Sequence, residues 1–323
     1  MDIRNAKPLF ALKRGNAFEI LAYGVCAMAR DGKLLDPQIG DIKVITRSTL
    51  KPWQFLGADV FKDEDIWTLG MASSAGQELH VKRLQEFQAL IQGDESKLIL
   101  PQIYPVDPIQ RSRCFAEGRQ RSRYYHFCCG KHLMMQYASK VYGYSPENYW
   151  EPHHPLQQKI KTFIHAQIGC EVEWVTDGCG LPTVYTPIKN LVTLWHKMGA
   201  SNDPRFLIMK DLWGRNPVLM GGDDILDTQI MVAAEGRVVA KEGADGVFGM
   251  QTRVERGEPS FSLILKLAHG TSKQHVILAL WSQLDSQKKH LPPSMLKVLD
   301  FLSERRKKLI DSKQSFVAAT EIF

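Results

Sequence analysis

Residues 42–54 of this chain read IKVITRSTLKPWQ, and the pattern changes from strand to helix within this stretch. Residues 42–46 are rich in β-branched side chains, whereas apolar residues recur at three- and four-residue spacing through residues 50–60. Ser48 lies at the change and therefore has the position of a helix N-cap. Lys51 follows three residues later, so the hydroxyl and the amine are predicted to lie on one side of the helix.

Ser48 and Lys51 are residue types that serve as a nucleophile and its base. A free lysine has a pKa of about 10.4, so burial or nearby cations must keep the amine neutral before it can accept a proton. The positive end of the helix dipole acts in that direction. Ser-x-x-Lys is also a common chance pattern, and on this motif alone a capped helix with an exposed lysine is the favoured interpretation.

Strand patterns lie on both sides of this stretch. Residues 18–30 and 34–35 predict a hairpin on the Asp31-Gly32 turn, and residues 229–234 and 238–241 predict another around Glu235-Gly236. Residues 247–254 and 260–267 add two further strands. Because these segments come from both ends of the chain, we expect a largely antiparallel sheet.

Helical periodicity occupies much of the remaining sequence. The predicted helices cover residues 50–60, 79–91, 132–141, 155–168, 185–198, 272–284 and 294–313. Residues 98–118 contain three prolines and little periodicity, which predicts a long surface connection. The fold class is therefore α+β, a mainly antiparallel sheet packed with helices, in one domain of residues 1–323 with one or two lobes.

Composition excludes several classes of protein. Of the 323 residues, 44% are hydrophobic and 24% are charged, which is typical of a globular chain and not of a disordered or fibrous one. Residues 9–12 are too short an apolar run for a signal peptide, and no later run approaches membrane-spanning length. Six scattered cysteines do not resemble a disulfide framework. We therefore expect a cytoplasmic protein with reduced or metal-bound thiols.

The net charge of +6 includes two basic clusters, at residues 305–308 and at Arg111, Arg113, Arg119, Arg121 and Arg123. A solvated basic face is the favoured interpretation, because basic patches have low specificity. The alternative is a non-catalytic zinc module that binds nucleic acid through the arginines and the nearby cysteines, which predicts salt-sensitive binding.

Two cysteine segments are candidates for a metal site. Residues 126–132 read HFCCGKH, and residues 177–182 read DGCGLP. Zinc prefers thiolates and imidazoles, but this spacing matches no common zinc-finger framework, and buried inert cysteines explain it as well. Two turns rich in small residues, at residues 72–78 and 240–246, supply hydroxyls and a lysine, although an N-cap and a plain β-turn have the same appearance.

Taken in order, these segments resemble the asparaginase II family, the zinc-associated Ser-Lys asparaginases, over nearly the whole chain. Residues 14–19 resemble R-G-x-x-x-E, and residues 47–54 resemble R-S-x-x-K-P-x-Q. The further similar segments are residues 128–132 (C-S-G-K-H), 177–182 (D-G-C-x-x-P), 221–228 (G-G-x-x-x-x-D-T) and 241–247 (K-x-G-A-E-G-V).

The resemblance implies a fold similar to serine β-lactamases and glutaminases, and a homodimer that hydrolyses L-asparagine to L-aspartate and ammonia. It implies two Ser-Lys pairs, Ser48 with Lys51 and Ser73 with Lys241, and a zinc ion held by Cys128, Lys131 and Cys179. The expected substrate contacts are Arg47, Ser74, Asp177 and Gly178. The sequence does not decide which of the two serines attacks. We favour Ser48, with backbone N–H groups at Ser48–Thr49 facing the oxyanion.

The chain departs from the family pattern at three places. The family's S-H-x-G-E is SSAGQ at residues 73–77, an asparagine pair is replaced by His126-Phe127, and Cys129 replaces a serine. A penicillin-recognising hydrolase is the alternative on the same fold, but residues 201–203 and 270–273 fit its S-x-N and K-T-G elements poorly. Preference for asparagine, glutamine or another amide is not decided by these residues.

Overall fold

The secondary structure follows from a computed structural model that describes residues 2–270 and 272–322, so Met1, Phe323 and Thr271 of the 270–273 segment lie outside the described residues. The strands are β1 Lys7–Arg14, β2 Ala17–Arg30, β3 Lys33–Leu34, β4 Lys43–Ile45, β5 Glu173–Thr176, β6 Pro182–Pro187, β7 Val238–Gly243, β8 Val247–Thr252, β9 Phe261–Leu267 and β10 Gln314–Ala318. The helices are α1 Lys51–Ala58, α2 Glu78–Leu90, α3 Pro108–Ala116, α4 Cys129–Val141, α5 Pro155–Ile168, α6 Ile188–Ala200, α7 Pro204–Arg215, α8 Pro217–Met220, α9 Leu226–Ala233, α10 Lys273–Ser286 and α11 Pro293–Leu309.

Two compact units divide the chain, and each is built from separate segments. Unit 1 consists of Met1–Thr49, Tyr185–Ser201 and Ile230–Phe323. Unit 2 consists of Leu50–Val184 and Asn202–Gln229. Within the part of the chain that the structure describes, no helix is long and apolar enough to cross a membrane.

Unit 1 contains the antiparallel sheet that was predicted from both ends of the chain. Its strands are ordered β10-β1-β2-β9-β8-β7, with β3 paired to β2, and the pairings along this order are antiparallel. The turn between β2 and β3 places Asp31 at φ 48° and Gly32 at φ 79°. Both residues tolerate this left-handed region, so the predicted Asp-Gly hairpin is confirmed.

Helices cover this sheet within unit 1. Consecutive residues of β2 from Val25 to Ala29 are buried, which requires cover on both faces of the sheet. Helix α6 packs against β2, β8 and β9, while α10 packs against β1 and α11 against α10. A Cβ at Gly249 would lie 2.6 Å from the Trp195 ring, so glycine permits the close approach of α6 to β8.

Unit 2 is mainly helical, and α1 lies at its centre. All eight residues of α1 are buried, and the helix packs against α4, α5 and α7. The start of helix α4 packs closely against the 3-10 turn Asp65–Gly70. A Cβ at Gly130 would lie only 2.3 Å from the Leu69 carbonyl oxygen, so glycine permits this approach. This contact fixes the first turn of α4, which carries Cys129, Lys131 and His132.

Three predictions of helices, strands or connections are wrong. Residues 229–234 lie mostly in helix α9 and not in a hairpin arm, because Glu235 and Gly236 end the helix: the Gly236 N–H donates to the Met231 carbonyl at 3.0 Å. Residues 98–118 contain helix α3, which Asp107 caps. The helix predicted over 185–198 begins only at Ile188, because residues 185–187 complete β6.

Gly130→Ala should lower the free energy of unfolding by roughly 1–3 kcal/mol. Alanine favours a helix by about 1 kcal/mol, but the added methyl group would overlap a backbone oxygen that cannot move without α4 or the Leu69 turn. Denaturant unfolding measures the change. Val141→Ala, at an exposed position of the same helix, is the matched control. Equal stability of the two variants would contradict the close approach.

Candidate active site

Lys51 is the first residue of α1 and its side chain is fully buried in unit 2. Its Nζ donates to the Ala72 carbonyl at 2.5 Å, to the Ser73 hydroxyl at 2.8 Å and to the Phe127 carbonyl at 3.0 Å. A buried amine is costly unless polar partners surround it, and these acceptors supply them. Lys51 therefore has a hydroxyl partner, Ser73, that the sequence analysis did not pair with it.

The Ser73 loop is held by backbone hydrogen bonds within unit 2. The Ser73 N–H donates to the Met220 carbonyl at 2.8 Å, and the Ala75 N–H donates to the Gly221 carbonyl at 2.6 Å. Gly222 adopts φ 134° beside this loop, a conformation that glycine permits. The Gly221-Gly222 segment thus packs behind the Ser73 loop and helps to position the Ser73 hydroxyl. Ser74 in the same loop is buried.

Gln77, where the family resemblance implies a glutamate, has a defined contact. Its Nε2 donates to Asp107 Oδ2 at 2.9 Å, and Asp107 Oδ1 in turn accepts from the Gln110 N–H at the start of α3 at 2.7 Å. A glutamate at this position would put two carboxylates against each other. The amide of Gln77 therefore suits its position, because it donates to the Asp107 carboxylate that caps α3.

Ser48 lies in unit 1, in the 3-10 turn Arg47–Leu50, and is 7% exposed. The prediction that it caps the helix is wrong, since the N-cap of α1 is Leu50 and Pro52 lies in the first turn. Thr49 uses both its N–H and its hydroxyl to bond the Thr46 carbonyl, at 3.2 and 2.5 Å. The Thr49 N–H, one of the two predicted oxyanion donors, is therefore already used in a hydrogen bond within the turn.

Arg47 has a strained backbone and contacts the turn that follows β7. Its φ of 47° is unusual for a residue with a side chain, and its guanidinium forms an ion pair with Asp245. A Cβ at Gly243 would lie 3.3 Å from the Ser48 nitrogen, so glycine allows β7 to approach this turn. The 240–246 segment and the Arg47-Ser48 turn, far apart in sequence, are thus neighbours within unit 1.

Lys241 is fully buried in β7, where it pairs with Gly249 of β8, and its Nζ donates to the Glu242 carbonyl at 3.1 Å. Lys241 belongs to unit 1 and Ser73 to unit 2, and Ser48 and Lys51 are likewise divided between the units. The two predicted pairs, Ser48 with Lys51 and Ser73 with Lys241, therefore stay predictions.

The predicted metal ligands Cys128, Lys131 and Cys179 are brought together in unit 2. All three are at most 5% exposed, and Lys131 Nζ donates to the Cys179 sulfur at 3.3 Å. Cys179 lies in a tight loop closed by the Asp177 N–H, which donates to the Leu181 carbonyl at 2.9 Å. Asp177 Oδ1 accepts from the Gly178 N–H at 2.8 Å within the same loop.

The charges in this thiol cluster are distributed unequally. A hydrogen bond from Cys128, followed by the charge of Lys131, lowers the pKa of Cys179 well below its ordinary value despite burial. The same bond and burial raise the pKa of Cys128. Burial opposes the charge of Lys131, but the sulfurs of Cys179 and Cys128 and the Asp177 carboxylate together raise its pKa. These opposite shifts favour a thiolate on Cys179 and a charged amine on Lys131.

Two histidines border the cluster. His126, which replaces a family asparagine, accepts from the Cys128 N–H through Nδ1 at 3.1 Å, and burial followed by the charge of His132 lowers its pKa to about 4. The Nδ1 of His132 lies 2.7 Å from the Tyr149 hydroxyl. The ring of His132 also contacts the Cys179 thiol, and this hydrogen bond lowers the pKa of Cys179 and opposes the effect of burial on the pKa of His132. Both rings are neutral near pH 7 because burial also lowers the pKa of His132.

The donor set fits zinc in chemical type. Across the described residues, no group of three or more His, Cys, Asp or Glu side chains is placed to hold a metal ion. The Cys128–Lys131–Cys179 set contains only two such residues, and its third donor is an amine. Two sulfurs and a nitrogen are ligand types that zinc accepts, provided that Cys128 and Lys131 lose their protons.

A buried lysine bonded to a serine hydroxyl is the kind of pair that serine hydrolases with a lysine base require. A family model described as L-asparaginase II matches residues 10–309. The chain therefore belongs to the asparaginase II family, L-asparaginase-like amidohydrolases that act on small-molecule amides. No curated protein matches the chain.

Gln77→Glu should destabilise unit 2 by about 1–3 kcal/mol at pH 7, because a carboxylate would replace the amide that donates to Asp107. The pKa of the new carboxyl would be raised, so the loss should be present at neutral pH and shrink as the pH falls towards about 4. Thermal unfolding at both pH values measures this. Gln102→Glu, an exposed change in the same unit, is the control. A pH-independent difference would count against the Gln77–Asp107 contact.

Proposed function

We propose that this protein is an L-asparaginase-type amidohydrolase that hydrolyses the side-chain amide of L-asparagine to L-aspartate and ammonia. The observation that carries the proposal is the fully buried Lys51 amine, 2.8 Å from the Ser73 hydroxyl, in a member of this family. The cytoplasmic location and the homodimer that the family resemblance implies are part of the same proposal.

The surroundings of Lys51 suit a neutral amine. An ammonium has three N–H groups, which match the acceptors on Ala72, Ser73 and Phe127. A neutral amine keeps two N–H groups for the two carbonyls and directs its lone pair at the Ser73 hydroxyl. Burial disfavours the charged form of an amine. The same geometry therefore serves both protonation states, which a proton carrier requires.

We retain Ser48 as the attacking serine. It follows Arg47, whose positive φ is the kind of local strain found at functional sites. In the proposed reaction, Ser48 Oγ bonds to the amide carbon, its proton passes to the base, and the amide nitrogen leaves as ammonia after gaining a proton. Water then displaces Ser48 from the acyl-enzyme and yields aspartate. The Ser48 N–H is the remaining candidate oxyanion donor, because the Thr49 N–H bonds Thr46.

In the proposed reaction, Lys51 and Ser73 move the proton, and Lys241 supports the second serine as the family resemblance implies. Substrate contacts are proposed for Arg47, Ser74, Asp177 and Gly178. Ser74 replaces a histidine of the family and is buried beside Ser73. Of the two replacements in this loop, Ser74 is therefore the one expected to alter the preference among asparagine, glutamine and other amides, since Gln77 is bonded to Asp107.

Ser48→Ala should lower kcat for ammonia release from L-asparagine by at least about a thousandfold, because it removes the atom that forms the acyl-enzyme. A diazo ketone analogue of asparagine should label Ser48 in the native protein, as located by peptide mass spectrometry. Ser73→Ala should lower kcat while leaving the Ser48 label, since it removes a proton carrier only. Ser112→Ala, an exposed serine of α3, is the control. Label on Ser73, or full activity of Ser48→Ala, would refute the assignment.

We also propose that zinc is the bound metal, with Cys128, Lys131 and Cys179 as ligands. When bound, zinc would supply positive charge that polarises a nearby carbonyl and fixes the Asp177 loop. The chain's own part is to release the protons of Cys128 and Lys131 and to hold the ligands through the tight Asp177–Leu181 turn. Zinc affinity should accordingly fall as the pH falls.

Cys179→Ser should abolish stoichiometric zinc, measured by plasma mass spectrometry after dialysis of protein purified from zinc-supplemented cells. Oxygen of a serine replaces the low-pKa sulfur, so the cluster loses its thiolate. Cys170→Ser, at the exposed cysteine, should keep the native content. A wild-type protein that holds no zinc under these conditions would contradict the metal assignment without affecting the Ser-Lys assignment.

A further inference from the structure

A pocket of about 410 Å³ lies beside Arg47 within unit 1. It is lined by residues 2–4, strand β4, Arg47, Tyr185, Asp245 and Lys266. The volume is in the range of about 300–1,000 Å³ that is usual for small-molecule sites. Arg47, one of the lining residues, directly precedes the proposed nucleophile Ser48 in the chain.

The pocket has a mixed but positive lining. Four cationic side chains and two carboxylates contribute to it, which leaves a formal excess of two positive charges (4 − 2). One of the carboxylates, Asp245, is already paired with Arg47, and the other, Asp2, is paired with Arg4. This lining favours a ligand that carries a carboxylate, and the Asp245 carboxylate, which is half exposed, leaves room for an accompanying ammonium group.

Lys266 is a half-buried cation of this lining. It extends from β9, and its Nζ donates to the backbone carbonyl of Asp245. This contact depends on the left-handed turn at Asp245, where φ is 61°. Burial lowers the pKa of Lys266, the charge of Asp245 opposes this effect, and the charge of Arg47 adds to the lowering. Across residues 2–270 and 272–322, no carboxylate oxygen lies within ion-pair distance of its ammonium, so an anionic ligand would add to the partial countercharge that Asp245 supplies.

We propose that this pocket recognises the α-carboxylate of a free amino acid and that Lys266 is the residue that binds it. The inference rests on the proposed function, because the amino acid would be the asparagine whose side-chain amide is hydrolysed. Lys266 then determines specificity for a free amino acid over an asparagine residue within a peptide, which has no α-carboxylate. This assignment adds Lys266 to the substrate contacts expected from the family resemblance.

The test compares L-asparagine with its α-amide, which differs only in having a neutral group in place of the α-carboxylate. Lys266→Gln should raise KM for L-asparagine about tenfold, the effect of one charge-assisted hydrogen bond, and leave KM for the α-amide unchanged. Lys266→Arg keeps the charge and should keep the native preference for L-asparagine over the α-amide. Lys33→Gln, an exposed lysine of unit 1 outside the pocket, is the matched control. Circular dichroism melting verifies that each variant is folded.

Calorimetric titration with L-aspartate separates this inference from the proposed function, because it needs no turnover. If the native protein binds L-aspartate and Lys266→Gln weakens this binding about tenfold, the proposed role of the pocket is supported. This result would hold even if no ammonia were released from any amide. Normal asparagine hydrolysis, combined with equal effects of Lys266→Gln on both amides or none on either, would overturn the pocket and leave the proposed function standing. Failure of the native protein to distinguish L-asparagine from its α-amide would overturn the pocket as well.

Discussion

The buried amine of Lys51 is the constraint around which unit 2 is arranged. Its acceptors come from two different segments, the Ala72-Ser73 loop and the residue before Cys128. An amine with no solvent contact loses its hydration, so these carbonyls and the hydroxyl must be in place for the fold to tolerate it. The backbone bonds that tie the Ser73 loop to residues 220–221 therefore serve stability and the proposed chemistry together.

The same constraint links the Ser-Lys pair to the thiol cluster. Phe127, whose carbonyl accepts from Lys51, directly precedes Cys128, and Lys131 lies in the first turn of α4. Gly130 holds that turn against the Leu69 backbone. A shift of α4 would move an acceptor of Lys51 and two proposed metal ligands at once. The proposed catalytic and metal sites are consequently positioned by one helix start and do not vary independently.

Features that depend on neighbouring residues could be predicted from the sequence, whereas features that depend on contacts between distant residues could not. The Asp31-Gly32 hairpin and helix α5 over Pro155–Ile168 follow from turn residues and from uninterrupted periodicity. The Glu235-Gly236 pair led to the wrong prediction of a hairpin, because a glycine turn ends a helix as readily as it joins two strands. Helix α3 was missed because its prolines suggested a loop, although Asp107-Pro108 is a cap followed by an N1 proline. The contact between Lys51 and Ser73 joins residues 22 apart, and no local pattern indicates it.

The departures from the family pattern occur together with local partners, which bears on how they act. Gln77 donates to Asp107, where a glutamate carboxylate would be repelled, and His126 accepts from the Cys128 N–H with a ring that burial keeps neutral. Each replacement thus meets a hydrogen-bonding need of the backbone or the α3 cap. Within the described part of the chain the buried Ser74 side chain makes no comparable hydrogen bond, and Ser74 directly follows Ser73, whose hydroxyl Lys51 contacts. A change of substrate preference relative to the family pattern is therefore more readily attributed to Ser74 than to Gln77 or His126.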